Sequence, residues 1–177
     1  MKLVNPDNET LAKIKRLYRA AFPRIERKSF RFILKQREKG EAELFAVETN
    51  DGKFAGLAFV VKHNDLVMLD YFAVHPKLRG KGVGSKALAA LMKKYSDSRF
   101  ILEIESVDVP CKNLEARKKR REFYLKNGMK SAGFTVRVFF TKLEVLTSGK
   151  PVTFEEYRGL YASHLGKHVK KMIKLVS

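Results

Sequence analysis

At 177 residues, 45% of them hydrophobic and with 13 Phe and 6 Tyr, the chain can build one domain with a sizeable core and is too apolar for wholesale disorder. It holds neither a bilayer-length apolar run nor an apolar N-terminal leader, and its single cysteine, Cys111, has no internal partner for a disulfide, so the expected address is the cytoplasm. The net charge of +18 suits anionic ligands, but its lysines and arginines are spread over residues 13–19, 24–37, 77–94, 112–121 and 167–174; a dedicated nucleic-acid tail forms one block, so nucleic acid is not the expected partner.

Residues 9–21 place Leu11, Ile14, Leu17, Tyr18 and Ala21 on one helical face, and Pro23 ends that helix. A second helix is predicted from about Lys28 to Arg37, with Phe30, Ile33 and Leu34 inward and Gly40 as its stop. The period then changes. Glu43–Thr49 and Phe54–His63 are β-rich runs joined by the turn signal Asn50-Asp51-Gly52-Lys53, and Leu66–Val74 follows the turn Asn64-Asp65. These three make an antiparallel meander. After a glycine-rich segment comes a helix from about Gly84 to Tyr95, with Leu88, Leu91, Met92 and Tyr95 inward. Arg99–Ser106 is then a strand reached by a crossover, expected parallel to the one ending at Val74. A basic helix runs from about Leu114 to Asn127, and Phe134–Phe140 and Lys142–Leu146 form a final strand pair.

After Pro151, Phe154–His164 and Lys167–Val176 are predicted as two short helices. The second is amphipathic, with lysines opposite Leu165, Val169, Met172 and Val176, and suits docking on the domain or on a second copy of the chain. The prediction is one mixed α/β domain over residues 1–177, with about 147–177 a C-terminal helical appendage.

The chemistry concentrates in Val74-His75-Pro76-Lys77-Leu78-Arg79-Gly80-Lys81-Gly82-Val83-Gly84. A strand that ends in a glycine-rich turn and opens a helix aims several unpartnered backbone N–H groups at one point, where the helix dipole adds positive potential. Glycines at 80, 82 and 84 clear side chains from that point and permit positive φ, while Lys77, Arg79 and Lys81 offer charge-assisted contacts. Such a loop suits a diphosphate. It lacks the Gly-Lys-Ser/Thr ending of a Walker A loop. It also follows an antiparallel meander rather than an early βαβ unit, which sets aside the dinucleotide fingerprint.

The pattern Val74-x-Pro76-x-x-Arg79-Gly80-x-Gly82-x-Gly84-x-x-x-Leu88 resembles motif A of the GNAT superfamily of acyl-CoA N-acyltransferases. The downstream Arg121-Glu122-Phe123-Tyr124-Leu125-Lys126-Asn127-Gly128-Met129 resembles that family's second motif. The order of elements is similar too, so the resemblance covers about residues 5–146. It implies a mixed, mostly antiparallel α/β sheet with a V-shaped splay, flanked by helices. It implies an N-acetyltransferase moving an acetyl group from acetyl-CoA to a primary amine by direct attack in a ternary complex, with coenzyme A as product. On that resemblance the pyrophosphate would sit on the amides of Arg79, Gly80, Lys81, Gly82, Val83, Gly84 and Ser85. The pantetheine arm would pair with Phe72-Ala73-Val74, where an amide would polarise the thioester carbonyl, and Tyr124 would protonate the leaving thiolate. The alternative is a non-catalytic CoA- or nucleic-acid-binding module on the same fold.

Amine attack on a thioester needs a neutral amine, a polarised carbonyl and a stabilised thiolate, and no covalent intermediate. Candidates for the general base are Asp70, Glu103 and Glu105, the last preferred because it lies nearer the end of its strand. The four histidines show no metal-ligand spacing, although His164 and His168 would share a helix face. The acceptor is expected to be a small-molecule or peptide amine.

Overall fold

The computed structural model describes residues 1–177. Eight strands follow one another in the open-sheet order β1-β2-β3-β4-β5-β7-β6-β8, flanked by helices. The chain divides into two compact units: Met1–Val61 with Leu69–Lys94, and Lys62–Met68 with Tyr95–Ser177.

In the first unit, Asp7 caps α1 (Asn8–Ala21) by accepting a hydrogen bond from the Thr10 amide, and the helix buries Ile14, Leu17 and Tyr18. Pro23 cannot continue it, and Ser29 caps α2 (Phe30–Glu38) through the Phe32 amide. β2 (Ala42–Glu48) and β3 (Phe54–His63) pair antiparallel, Ala42 opposite Val61, with a register shift at Val47/Glu48. β1 (Lys2–Val4) pairs antiparallel with β2. The strand patterning does not announce β1, because three residues carry too little period.

β4 (Leu66–Val74) lies beside β3, and the His75 amide donates to the Ala55 carbonyl at 2.8 Å. The approach is close at Gly56, where a Cβ would stand 2.4 Å from the Ala73 carbonyl oxygen. Only glycine fits there without moving backbone. Tyr71 of β4 pins the segment between α1 and α2: its hydroxyl donates to the Glu26 carbonyl at 2.7 Å and accepts from the Lys28 amide at 3.1 Å. Burial pushes that hydroxyl's pKa far up, so it stays a neutral donor.

In the second unit, β5 (Arg99–Glu105) pairs antiparallel with β7 (Thr141–Thr147), β7 with β6 (Lys130–Val138), and β6 with β8 (Ile173–Leu175). α5 (Phe154–Leu165) begins with a capping box between Thr153 and Glu156. Arg99 joins three segments, reaching Asp65 at 2.8 Å through two nitrogens and Glu156 at 2.7 Å. His164 on α5 lies 3.1 Å from the Lys62 carbonyl.

Two sequence expectations are corrected here. Residues 167–176 are not a second helix: Gly166 takes φ +91° and ends α5, a 3₁₀ turn covers Lys167–Met172, and β8 follows. β8 pairs with the edge of β6 that would otherwise stay open, and Met172 and Val176 are exposed rather than on a buried stripe. His164 and His168 therefore do not share a helix. The strand expected at Phe134–Phe140 begins earlier, at Lys130, and ends at Val138. Phe139 turns the hairpin at φ +53°, leaving Phe140 97% exposed.

Candidate active site

β4 delivers the chain into the glycine loop. Past Val74 a single 3₁₀ turn over Pro76–Leu78 reverses direction, closed by the Leu78 and Arg79 amides on His75 and Pro76 carbonyls. Arg79 braces this turn, its Nε donating to the Val74 carbonyl at 3.2 Å while the side chain stays exposed. Gly80 and Gly82 both adopt φ +72°, and a Cβ on either would meet nothing within 4 Å. These glycines are demanded by backbone conformation, and the space beside them is open.

α3 (Val83–Lys94) starts immediately after. Its first i to i−4 bond runs from the Lys86 amide to the Gly82 carbonyl, so the amides of Val83, Gly84 and Ser85 lie ahead of the helical ladder. Gly84 sits inside the helix's first turn without positive φ, unlike the other two. Val83 and Leu78 anchor the loop in an apolar cluster with Val47, Ala55 and Ala87, against which Phe72 and Val74 also pack. Lys77, Lys81 and Lys86 stay exposed around it. Amides on a helix start, a braced turn, open space and surrounding lysines fit a diphosphate.

Asp70, four residues before the strand end, is committed elsewhere: its side chain is 8% exposed and paired with Lys28 Nζ at 2.5 Å. It belongs to the Tyr71 clasp.

In the second unit, α4 (Leu114–Lys126) carries Tyr124, which is buried with its ring edge-on to Phe123 at 5.1 Å. No protein group hydrogen-bonds its hydroxyl. Burial pushes its pKa up to about 12, opposed only weakly by Arg120. The helix is latched to the sheet by guanidinium–carboxylate pairs. Arg121 binds Glu144 through two nitrogens, at 2.7 and 3.1 Å, and Arg117 and Arg120 take the two oxygens of Glu105 at 2.5 and 2.9 Å.

Glu103 meets a different environment. Its two oxygens accept hydrogen bonds from the hydroxyls of Tyr157 and Tyr161 on α5, at 2.5 and 2.6 Å. The sequence reading missed these tyrosines. Their i, i+4 spacing reads as core packing, and only the fold places them against an acid. Glu105 carries two cations, which occupy both oxygens. Glu103 carries two hydroxyls, which donate to it. The loop residues Phe72–Ser85 thus fall in the first unit, and Glu103, Glu105 and Tyr124 in the second.

A family model described as the acetyltransferase (GNAT) family matches residues 11–129. Among curated proteins none matches significantly. Among solved structures, a GNAT-family protein from Bacteroides thetaiotaomicron shares 17% identity at a TM-score of 0.75, covering 94% of this chain and 99% of its own. The spermidine N-acetyltransferase of Vibrio cholerae, in complex with CoA and spermine, is 14% identical at a TM-score of 0.65, over 82% of this chain and 93% of its own. The ribosomal-protein-S18-alanine N-acetyltransferase of Escherichia coli is 18% identical at a TM-score of 0.63, over 87% and 96%.

Proposed function

This chain belongs to the GNAT family of acetyltransferases, and from that premise we propose that it moves an acetyl group from acetyl-CoA to a primary amine by direct attack within a ternary complex. The observation that carries the donor assignment is the glycine loop: two residues at φ +72° with open space beside them, followed by three helix-start amides. The amides of Gly80 to Ser85 would hold the pyrophosphate, and Phe72-Ala73-Val74 would offer strand-end backbone to the pantetheine arm. The neighbours' printed names include a spermidine enzyme solved with CoA and a ribosomal-protein enzyme, which supports an amine acceptor, small or peptidic.

Acid–base work falls to the second group of residues. Tyr124, neutral and without a protein partner, is suited to give its proton to the departing thiolate. Of the two strand acids, Glu103 is the proposed proton acceptor, because its oxygens meet neutral hydroxyls whereas those of Glu105 are held by two guanidiniums. The amine would then attack in its neutral form, with its proton passing to Glu103.

Gly82→Ala tests the donor site. A Cβ there meets no neighbour, so the cost is the left-handed backbone alone, about 1–2 kcal/mol; the substituted loop relieves it by leaving that conformation, and acetyl-CoA must restore it, a Kd up to roughly 5- to 30-fold weaker by calorimetry. An unchanged Kd would remove the loop from the binding site. Release of free thiol from acetyl-CoA across a panel of polyamines, aminoglycosides, amino acids and peptides identifies the acceptor.

A further inference from the structure

Residues 11–39 contain eleven lysines and arginines against two acids, Glu26 and Glu38. About a sixth of the chain therefore holds +9 of its +18 charge. The fold gathers these groups on one surface of the first unit. Lys15 of α1 lies over the Phe30 ring of α2 at 5.8 Å, Arg27 reaches the Arg19 carbonyl at 3.3 Å, and the Tyr18 hydroxyl donates to the Lys28 carbonyl at 3.0 Å. The last turns of α1, the connecting segment and the start of α2 thus form one packed corner.

Lys15, Arg16, Arg19 and Arg31 sit in none of the region's ion pairs, which include Lys13 with Glu9, Lys28 with Asp70, and Lys39 with Glu41; Arg24 and Arg27 flank Glu26. All of the six except Arg27 are exposed. On α4, by contrast, Arg117, Arg120 and Arg121 are neutralised by Glu105 and Glu144. Like charges on one corner repel one another, and a polyanion relieves that repulsion.

We infer that the α1–α2 corner is a docking surface for the phosphate backbone of nucleic acid. Arginine forks match phosphate oxygens two at a time. α1 is about 20 Å long, enough to lie along several phosphates of a duplex carrying one charge per about 1.7 Å of axis. The corner exposes a single large apolar side chain, Ile25 at 94%, which is too little apolar surface to insert into a membrane. Contacts of this kind go to the phosphate backbone, which carries no sequence, so binding is expected with duplexes of any sequence. This surface operates alongside acetyl transfer and does not depend on that assignment.

The test is fluorescence anisotropy of the intact chain with labelled RNA and DNA duplexes of about 20 base pairs, between about 50 and about 200 mM KCl. Binding is expected with at least one duplex, its log K falling linearly with log salt. In R16Q/R19Q/R24Q the slope should shrink by about 2–3, with affinity at the lower salt down about 100-fold. K167Q/K171Q/K174Q removes the same charge from exposed lysines in the second unit and should change affinity less than about threefold. No duplex binding at low salt, or equal losses in both variants, overturns the inference. So does competition by poly-glutamate or phosphatidylserine vesicles as effective as by unlabelled duplex.

Discussion

Tyr124→Phe is expected to lower kcat by about 100- to 10,000-fold, the range that a positioned general acid contributes, while leaving the Kd for acetyl-CoA and the melting temperature nearly unchanged. The contrast follows from geometry. Phenylalanine keeps the buried ring and its edge contact with Phe123, and the deleted hydroxyl bonds to nothing in the protein. A purely structural tyrosine would lose stability and keep its rate. Here the rate should fall alone, and an unaltered kcat removes Tyr124 from the chemistry.

The same burial sets the pH behaviour. Tyr124 has its pKa raised from 10.0 to about 12, so its neutral, proton-donating form persists well above pH 10. An alkaline loss of rate below about pH 11 therefore belongs to another group. For stability, a raised pKa favours the protonated folded state. Its contribution is complete below pH 10 and is lost as pH rises from there through about 12.

Gly56→Ala should be the most damaging of the small substitutions. The added Cβ would stand 2.4 Å from the Ala73 carbonyl oxygen, 3.3 Å from the Val74 Cα and 3.4 Å from the Ala73 carbonyl carbon. These are backbone atoms and cannot rotate away. β3 and β4 must separate, at an overpacking cost of about 1–3 kcal/mol and a fall in Tm of roughly 4–10 °C for a chain of this size. Acetyl-CoA affinity should fall too, since Ala73-Val74 leads into the loop. Gly159→Ala provides the opposite sign. It lies within α5, and its Cβ would meet only the His63 ring at 3.8 and 3.9 Å. Alanine should therefore stabilise by about 0.5–1 kcal/mol. Thermal melts of both variants check the pair, and a Gly56→Ala protein with unchanged Tm would refute the close-approach account.

The glycine loop was legible because its constraint is local. Positive φ at Gly80 and Gly82 depends on those residues, and the helix that follows has its own period. The main helices and the β2–β3–β4 meander were legible for the same reason, each carrying a repeat long enough to read. β1 is too short to show one. Residues 173–175 were misassigned because lysines and apolar residues in the last stretch satisfy a helical period, and the competing force, the open edge of β6, lies far away in sequence. Charge partners were the least legible. Strand alternation placed Glu103 and Glu105 on one face, but two arginines on one and two tyrosines on the other are tertiary facts. They give two acids on one face different surroundings.

The hydrogen bond between His164 and the Lys62 carbonyl bridges 102 residues, and Arg99 reaches both Asp65 and Glu156. The tip of the β3–β4 hairpin, Lys62–Met68, thus shares a unit with residues 95–177 rather than with the strands it joins. On a ribosome, that tip emerges 34 residues before Arg99 and about a hundred before His164. Closing so long a loop is slow, so the hairpin's outer end must wait, half-paired, until α5 has been made. The order of synthesis and the order of folding therefore differ at this hairpin, and a pause in translation before residue 154 would leave its outer end without α5 to cover it.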